Sequence, residues 1–415
     1  MLVSKLKSLL SNPFIRNVGW LGGAELANRV FRLATTVTLA RMFSSEDYGL
    51  MAVIYITFEF ANVFTLRGGI GAKIVQADEE NVKAIANTAY WLNWILCVAI
   101  FIIQCIAAFP IAHFYKNTQL ILPLCTAALT YLMIPLFLVN TALLERENRL
   151  KVTAICNATQ SFFSNTIIII LAVLDMGVWA IVFAMVFTTP VWIVISWMNH
   201  SWRPPKTFSL DMWQEVTTFG GNLLAIELVG KLRANIDYLI VGKFLGIDAL
   251  GVYYFAFNAG LGISLNVINT FTSALFPYLC EVRSNTNQLR ERFFSTLKKT
   301  SLIAIPLILL QASLAPFYVP IVFGQKWVTA IPILVVICLS ALPLPVGNAT
   351  YVLLNAVGKT HINLYWILTY TMIFGLFVLA SVKWGIFWVA VSVLICQGLT
   401  PIYHIWAIKY ALAKK

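Results

Sequence analysis

Charge is what this sequence has least of. Asp, Glu, Lys and Arg together make up 11% of 415 residues, against about 25% in an average soluble domain. Histidine is rarer still, with four copies, and the seven cysteines (Cys97, Cys105, Cys125, Cys156, Cys280, Cys338, Cys396) show neither CxxC nor paired spacing. That scatter argues against a disulfide framework and against a zinc-type site, so no metal and no cofactor are expected. The first stretch, MLVSKLKSLLSNPFIRN, lacks an uninterrupted apolar run followed by a small-residue cleavage site, and reads as an interfacial helix, not as a removable signal peptide. Acidic residues are the scarcer sign, 17 against 29 Lys and Arg, for a formal charge of +12.

What is present is hydrocarbon. Apolar residues account for 60% of the chain and the mean hydropathy is +0.82, values that exclude water as the solvent for much of the surface. A spanning helix needs about 20 mostly apolar residues. That ruler finds about twelve segments, near 16–41, 48–66, 86–110, 119–143, 152–173, 177–198, 214–241, 249–279, 300–323, 328–356, 361–382 and 385–408. The runs are too long and too little alternating for barrel strands. The expectation is an all-α polytopic membrane protein, with no soluble domain between spans and a basic amphiphilic connection near 281–299 lying along the membrane surface.

Orientation follows from the cations. With both termini cytoplasmic, twenty Lys and Arg fall in inward-facing segments and five (Arg41, Lys116, Lys243, Lys326, Lys383) in outward ones, as the positive-inside rule requires. The inward set meets anionic lipid, so the basic surplus needs no nucleic-acid partner. The remaining four, Arg29, Arg32, Lys231 and Arg233, lie within spans, as do Glu25, Glu59, Glu227 and Asp237. Charge inside a membrane is expensive and by default marks a substrate path, an ion site or an internal pair. Glu25, Arg29 and Arg32 share one helix face, Glu227 and Lys231 repeat that spacing, and Arg233 with Asp237 forms another i, i+4 pair. Two readings stand side by side: mutual neutralisation within a helix, or phosphate contacts from the four cations with the carboxylates as H+ or Na+ carriers for coupling.

The pattern repeats. An offset of 202 carries Glu25 onto Glu227, Arg29 onto Lys231, Glu46 onto Asp248 and Gly49 onto Gly251; an offset of 210 carries Pro135 onto Pro345, and 211 carries Thr189–Pro190 onto Thr400–Pro401. Two tandem six-helix halves are expected, 1–200 and 213–415, joined by a cytoplasmic linker at 201–212, and such parallel repeats suit alternating access.

These residues also carry a resemblance. ARMFSSEDYGLMAV (40–53) with ANVFTLRGGIGAKIVQAD (61–78), and NIDYLIVGKFLGIDALGVYYFAFNAG (235–260) continuing to FPYLCEVRSNTNQLRERFF (276–294), resemble the two halves of Wzx-like flippases, the polysaccharide transporters of the multidrug/oligosaccharidyl-lipid/polysaccharide superfamily. The resemblance implies a V-shaped, MATE-like pair of six-helix lobes around a cationic central cavity in the bacterial inner membrane. It also implies a substrate, an undecaprenyl-diphosphate-linked oligosaccharide moved from the cytoplasmic to the outer leaflet for cell-surface polysaccharide biosynthesis, with other polysaccharide-assembly proteins as partners. On this reading the protein is not an enzyme. The alternatives are a membrane glycan polymerase or ligase, and a drug or cation antiporter of the same superfamily.

Overall fold

The computed structural model describes residues 31–413. Residues 31–42 are helical (α1), followed by α2 (Ser45–Val63), α3 (Arg67–Gln76), α4 (Val82–Tyr115), α5 (Ile121–Met133), α6 (Pro135–Arg146), α7 (Leu150–Val173), α8 (Trp179–Thr188), α9 (Pro190–Asn199) and α10 (Trp213–Leu245). Then come α11 (Ile247–Cys280), α12 (Thr286–Tyr318), α13 (Ile331–Ser340), α14 (Leu344–Ala356), α15 (Thr360–Ser381) and α16 (Ile386–Leu412). Among the described residues there is no strand.

Prolines explain several of the breaks, because a ring in place of N–H removes one rung of the helical ladder. Pro135 separates α5 from α6 with a bend of 49°, and its repeat counterpart Pro345 opens α14 after a bend of 40°. Pro190 likewise ends α8 and begins α9, whereas Pro401 is carried inside a continuous α16.

Seven helices or joined helices are long and apolar enough to cross a membrane, and three bent pairs would each supply one more, giving up to ten among the described residues. Two of the twelve expected spans fall outside that count for visible reasons. The first, 16–41, lies mostly outside the described residues, and α10 is loaded with Glu227, Lys231, Arg233 and Asp237. Side chains such as Ile103, Ile106, Phe109, Met372 and Leu376 are more than 60% exposed. So much apolar surface on long helices is the signature of a lipid-facing wall, and the chain is a multi-pass membrane protein.

The chain forms two compact units. Of the described residues, one unit holds 31–43, 57–112 and 118–224; the other holds 44–56, 113–117 and 225–413. In the first, Ile70, Ile74, Ile85, Tyr131, Phe137 and Trp192 are buried together. In the second, Leu275, Leu279, Phe293, Leu353 and Ala407 form one cluster, and Tyr48, Phe255 and Trp327 another, with the Phe255 and Trp327 rings stacked at 3.9 Å. Lipid is as apolar as these cores, so close approach and interhelical bonds carry the packing. Gly69 on α3 is a case in point: a Cβ there would stand 2.5 Å from the Cα of Gly220 on α10.

Candidate functional site

In the second unit, α10 brings its charged stretch against α11, α14, α15 and α16. Asp237 is buried, and Tyr253 of α11 donates its hydroxyl proton to Asp237 Oδ2 at 2.8 Å. One turn earlier, the Arg233 guanidinium carbon lies 5.1 Å from the ring centre of Tyr370 on α15, within cation–π range. Of the two readings of the i, i+4 spacing, mutual neutralisation or separate roles, the geometry fits the second: Arg233 and Asp237 each take a partner from another helix.

Arg233 borders a cavity of about 260 Å³ inside this unit, walled chiefly by amides, hydroxyls and aromatic rings. Asn363 of α15 donates to the Tyr351 carbonyl and to Asn355 Oδ1, both at 2.9 Å, which fixes that wall. Trp366 stacks flat on Tyr403 with ring centres 3.7 Å apart. His404 is 6% exposed, and both its Nδ1 and the Tyr403 hydroxyl are buried without a hydrogen-bond partner among the described residues. Gly347 keeps the wall open: a Cβ there would come within 3.0 Å of His404 Nε2. Among the described residues, no Asp or Glu lines the cavity. One fixed guanidinium, several neutral donors and no carboxylate make a chamber suited to an oxygen-rich anion.

The other expected residues are dispersed. Glu25 and Arg29 lie outside the described residues. Arg32 is exposed on α1, where its carbonyl accepts from Thr36 at 2.9 Å. Glu59 is half-buried on α2. Glu227 is exposed on α10, while Lys231 is half-buried and its carbonyl accepts from Asn235 at 3.0 Å.

Sequence reasoning missed Arg67. It was placed in a cytoplasmic loop, but it begins α3, a helix that continues span two after the turn at 64–66. Its guanidinium carbon is 5.2 Å from the ring centres of both Phe137 and Trp192. The end of α3 is closed by Arg146 of α6, whose Nη1 donates to the carbonyls of Ile74, Val75 and Ala77 and whose Nη2 pairs with Glu79 at 2.9 Å. A helix terminus leaves its last carbonyls short of partners; Ile74 also accepts from the Ala77 N–H, and Arg146 serves Val75 and Ala77. Lys73, also on α3, pairs with Glu215 of α10 at 2.8 Å. The one signal in the sequence was the 3.6-residue recurrence of Ile70 and Ile74, which the neighbouring glycines masked.

With this geometry in hand, the comparisons with known proteins agree on one group. The profile of the family described as polysaccharide biosynthesis protein matches residues 38–332. The teichuronic acid biosynthesis protein TuaB of Bacillus subtilis (strain 168) is 24% identical over 378 residues, 91% of this chain and 78% of the relative. The lipopolysaccharide biosynthesis protein WzxC of Escherichia coli (strain K12) is 26% identical over 337 residues, 80% of this chain and 67% of the relative. Among solved structures, the lipid II flippase MurJ in an inward closed conformation superposes with a TM-score of 0.73 at 14% identity, covering 94% of this chain and 87% of that one. That last likeness speaks to the fold alone.

Proposed function

Since the chain belongs to the polysaccharide biosynthesis protein family, we propose that this membrane transporter moves an undecaprenyl-diphosphate-linked oligosaccharide from the cytoplasmic to the outer leaflet of the inner membrane. Both termini are on the cytoplasmic side in this reading, and the chain comprises twelve spans in two six-helix lobes, 1–200 and 213–415, operating by alternating access. Arg29, Arg32, Lys231 and Arg233 are the proposed contacts of the diphosphate and its first sugars. Glu25, Glu59, Glu227 and Asp237 serve as charge partners or as H+ or Na+ carriers for coupling.

The observation that supports an anionic substrate best is the chamber beside Arg233. A diphosphate and its sugars present many acceptor oxygens and at least one negative charge. A guanidinium held over Tyr370, with amides and hydroxyls around it and no carboxylate in the wall, complements that chemistry and disfavours a cationic drug. The test is reconstitution in liposomes with a labelled lipid-linked oligosaccharide. The expected result is label that becomes accessible on the far side with its mass unchanged. A longer glycan would identify a polymerase, and label that stays put in a stably folded protein would end the proposal.

A further inference from the structure

A second cavity, of about 440 Å³, opens in the first unit beside Arg67. Its size falls within the range that small ligands occupy. The guanidinium carbon lies 5.2 Å from the ring centres of Phe137 and Trp192, which pack next to each other 5.6 Å apart, and Trp192 is itself tied to Gln160 by a 2.6 Å hydrogen bond. Among the described residues no hydrogen bond or ion pair engages the five N–H donors of that guanidinium, while the Arg67 backbone nitrogen donates to Thr65 Oγ1. Set beside two aromatic rings and without a hydrogen bond among the described residues, the group is a donor fork with capacity for an acceptor.

The rest of the wall says which acceptor. Glu145 of α6 lines the same cavity, is exposed, and attracts Arg67 electrostatically without closing to a direct ion pair. Thr141 already donates its hydroxyl proton to the Leu138 carbonyl at 2.8 Å, so its oxygen is left to accept. Gln76 adds an amide that both donates and accepts. A phosphate would satisfy Arg67 and be repelled by Glu145; a cation would meet the reverse. Vicinal hydroxyls do both tasks at once, accepting from the guanidinium and donating to the carboxylate. Gly71 contributes space, since a Cβ there would meet nothing within 4 Å.

We propose that this cavity binds one sugar ring of the glycan headgroup, its hydroxyls held between Arg67 and Glu145. The inference rests on the proposed transport of a lipid-linked oligosaccharide and assigns its sugar a separate, neutral recognition site. The probe is a panel of methyl hexopyranosides and their N-acetylamino counterparts, read by saturation-transfer NMR on the full-length protein in detergent. At least one sugar is expected to bind, with Glu145→Gln and Gly71→Leu each weakening it by about tenfold, the worth of a hydrogen bond to a charged group. Gly71→Leu fills the cavity where an added Cβ meets nothing within 4 Å, and an unfolding midpoint near that of the parent, measured on the same preparation, separates a filled cavity from misfolding. Absence of any binding sugar, sugar binding indifferent to both variants, or inorganic pyrophosphate taking this cavity in place of sugars would overturn the proposal. The two readings fail separately: sugar binding without translocation in liposomes sinks the transport reading, and translocation unaffected by both variants sinks this one.

Discussion

Gly49 and Gly251 meet where α2 crosses α11: a Cβ on Gly251 would stand 2.8 Å from the Gly49 nitrogen and 1.8 Å from the Ser45 carbonyl oxygen, and one on Gly49 would stand 2.1 Å from the Ile247 carbonyl oxygen. The two glycines are repeat counterparts, and the crossing is reciprocal. Ser45 donates its hydroxyl proton to Asp248 Oδ1 at 2.8 Å, and Asn117 reaches Glu46 Oε1 at 2.9 Å. Backbones this close gain dispersion and short polar contacts that larger residues would forbid.

Gly251→Ala should therefore force α2 and α11 apart, because the atoms in the way are backbone and cannot rotate aside. The expected loss is about 1–3 kcal/mol, typical of overpacking in a filled interior. Thermal unfolding in detergent measures it. A variant as stable as the parent would mean that the crossing opens at no cost.

Arg146→Ala should free the end of α3. The Val75 and Ala77 carbonyls lose the Arg146 donor, Ile74 keeps only the Ala77 N–H, and Glu79 loses its partner, an expected cost of about 1–3 kcal/mol. Limited proteolysis at 76–82 should quicken well before global unfolding, whereas Arg149→Ala, whose only pair is with exposed Glu147 at 3.3 Å, should leave the pattern alone.

Tyr253→Phe removes the hydroxyl that satisfies Asp237. With the carboxyl buried, the expected cost is about 1–3 kcal/mol, visible as a lower unfolding midpoint. Asp237→Asn should cost less, since the amide oxygen still accepts from Tyr253. Equal losses for the two variants would show that Asp237 is held by its charge.

How far the sequence carried each of these features depends on what decides them. Span lengths are set by composition, and ten of the expected spans have counterparts of suitable length and hydropathy among the described helices. Helix faces were harder: in lipid both the core and the outer wall are apolar, so hydrophobic periodicity loses its contrast. The spacing of Arg233 and Asp237 pointed each to the other, yet their partners Tyr370 and Tyr253 come from α15 and α11 and leave no trace in local spacing. Arg67 was illegible for a related reason. Leu66 at φ 52° and the Gly68–Gly69 pair look like a loop, and the helix that follows is closed by an arginine about seventy residues on, a distance no local pattern spans.

Arg233 offers the sharpest test of the transport reading, because lysine and glutamine separate its charge from its shape. Lysine keeps the charge but has no planar fork to lie over Tyr370 or to grip an oxyanion through two parallel bonds. If the chamber works as a bidentate grip, Arg233→Lys and Arg233→Gln should both lower translocation by about tenfold or more, with helix content and unfolding midpoint near those of the parent. Liposome translocation assays and circular dichroism on the same preparations give the two readouts. Full transport by the lysine variant would reduce the role of Arg233 to charge alone. Full transport by the glutamine variant would remove Arg233 from the substrate path, and the unpartnered Tyr403 hydroxyl and His404 Nδ1 beside it would then mark a chamber for a neutral ligand.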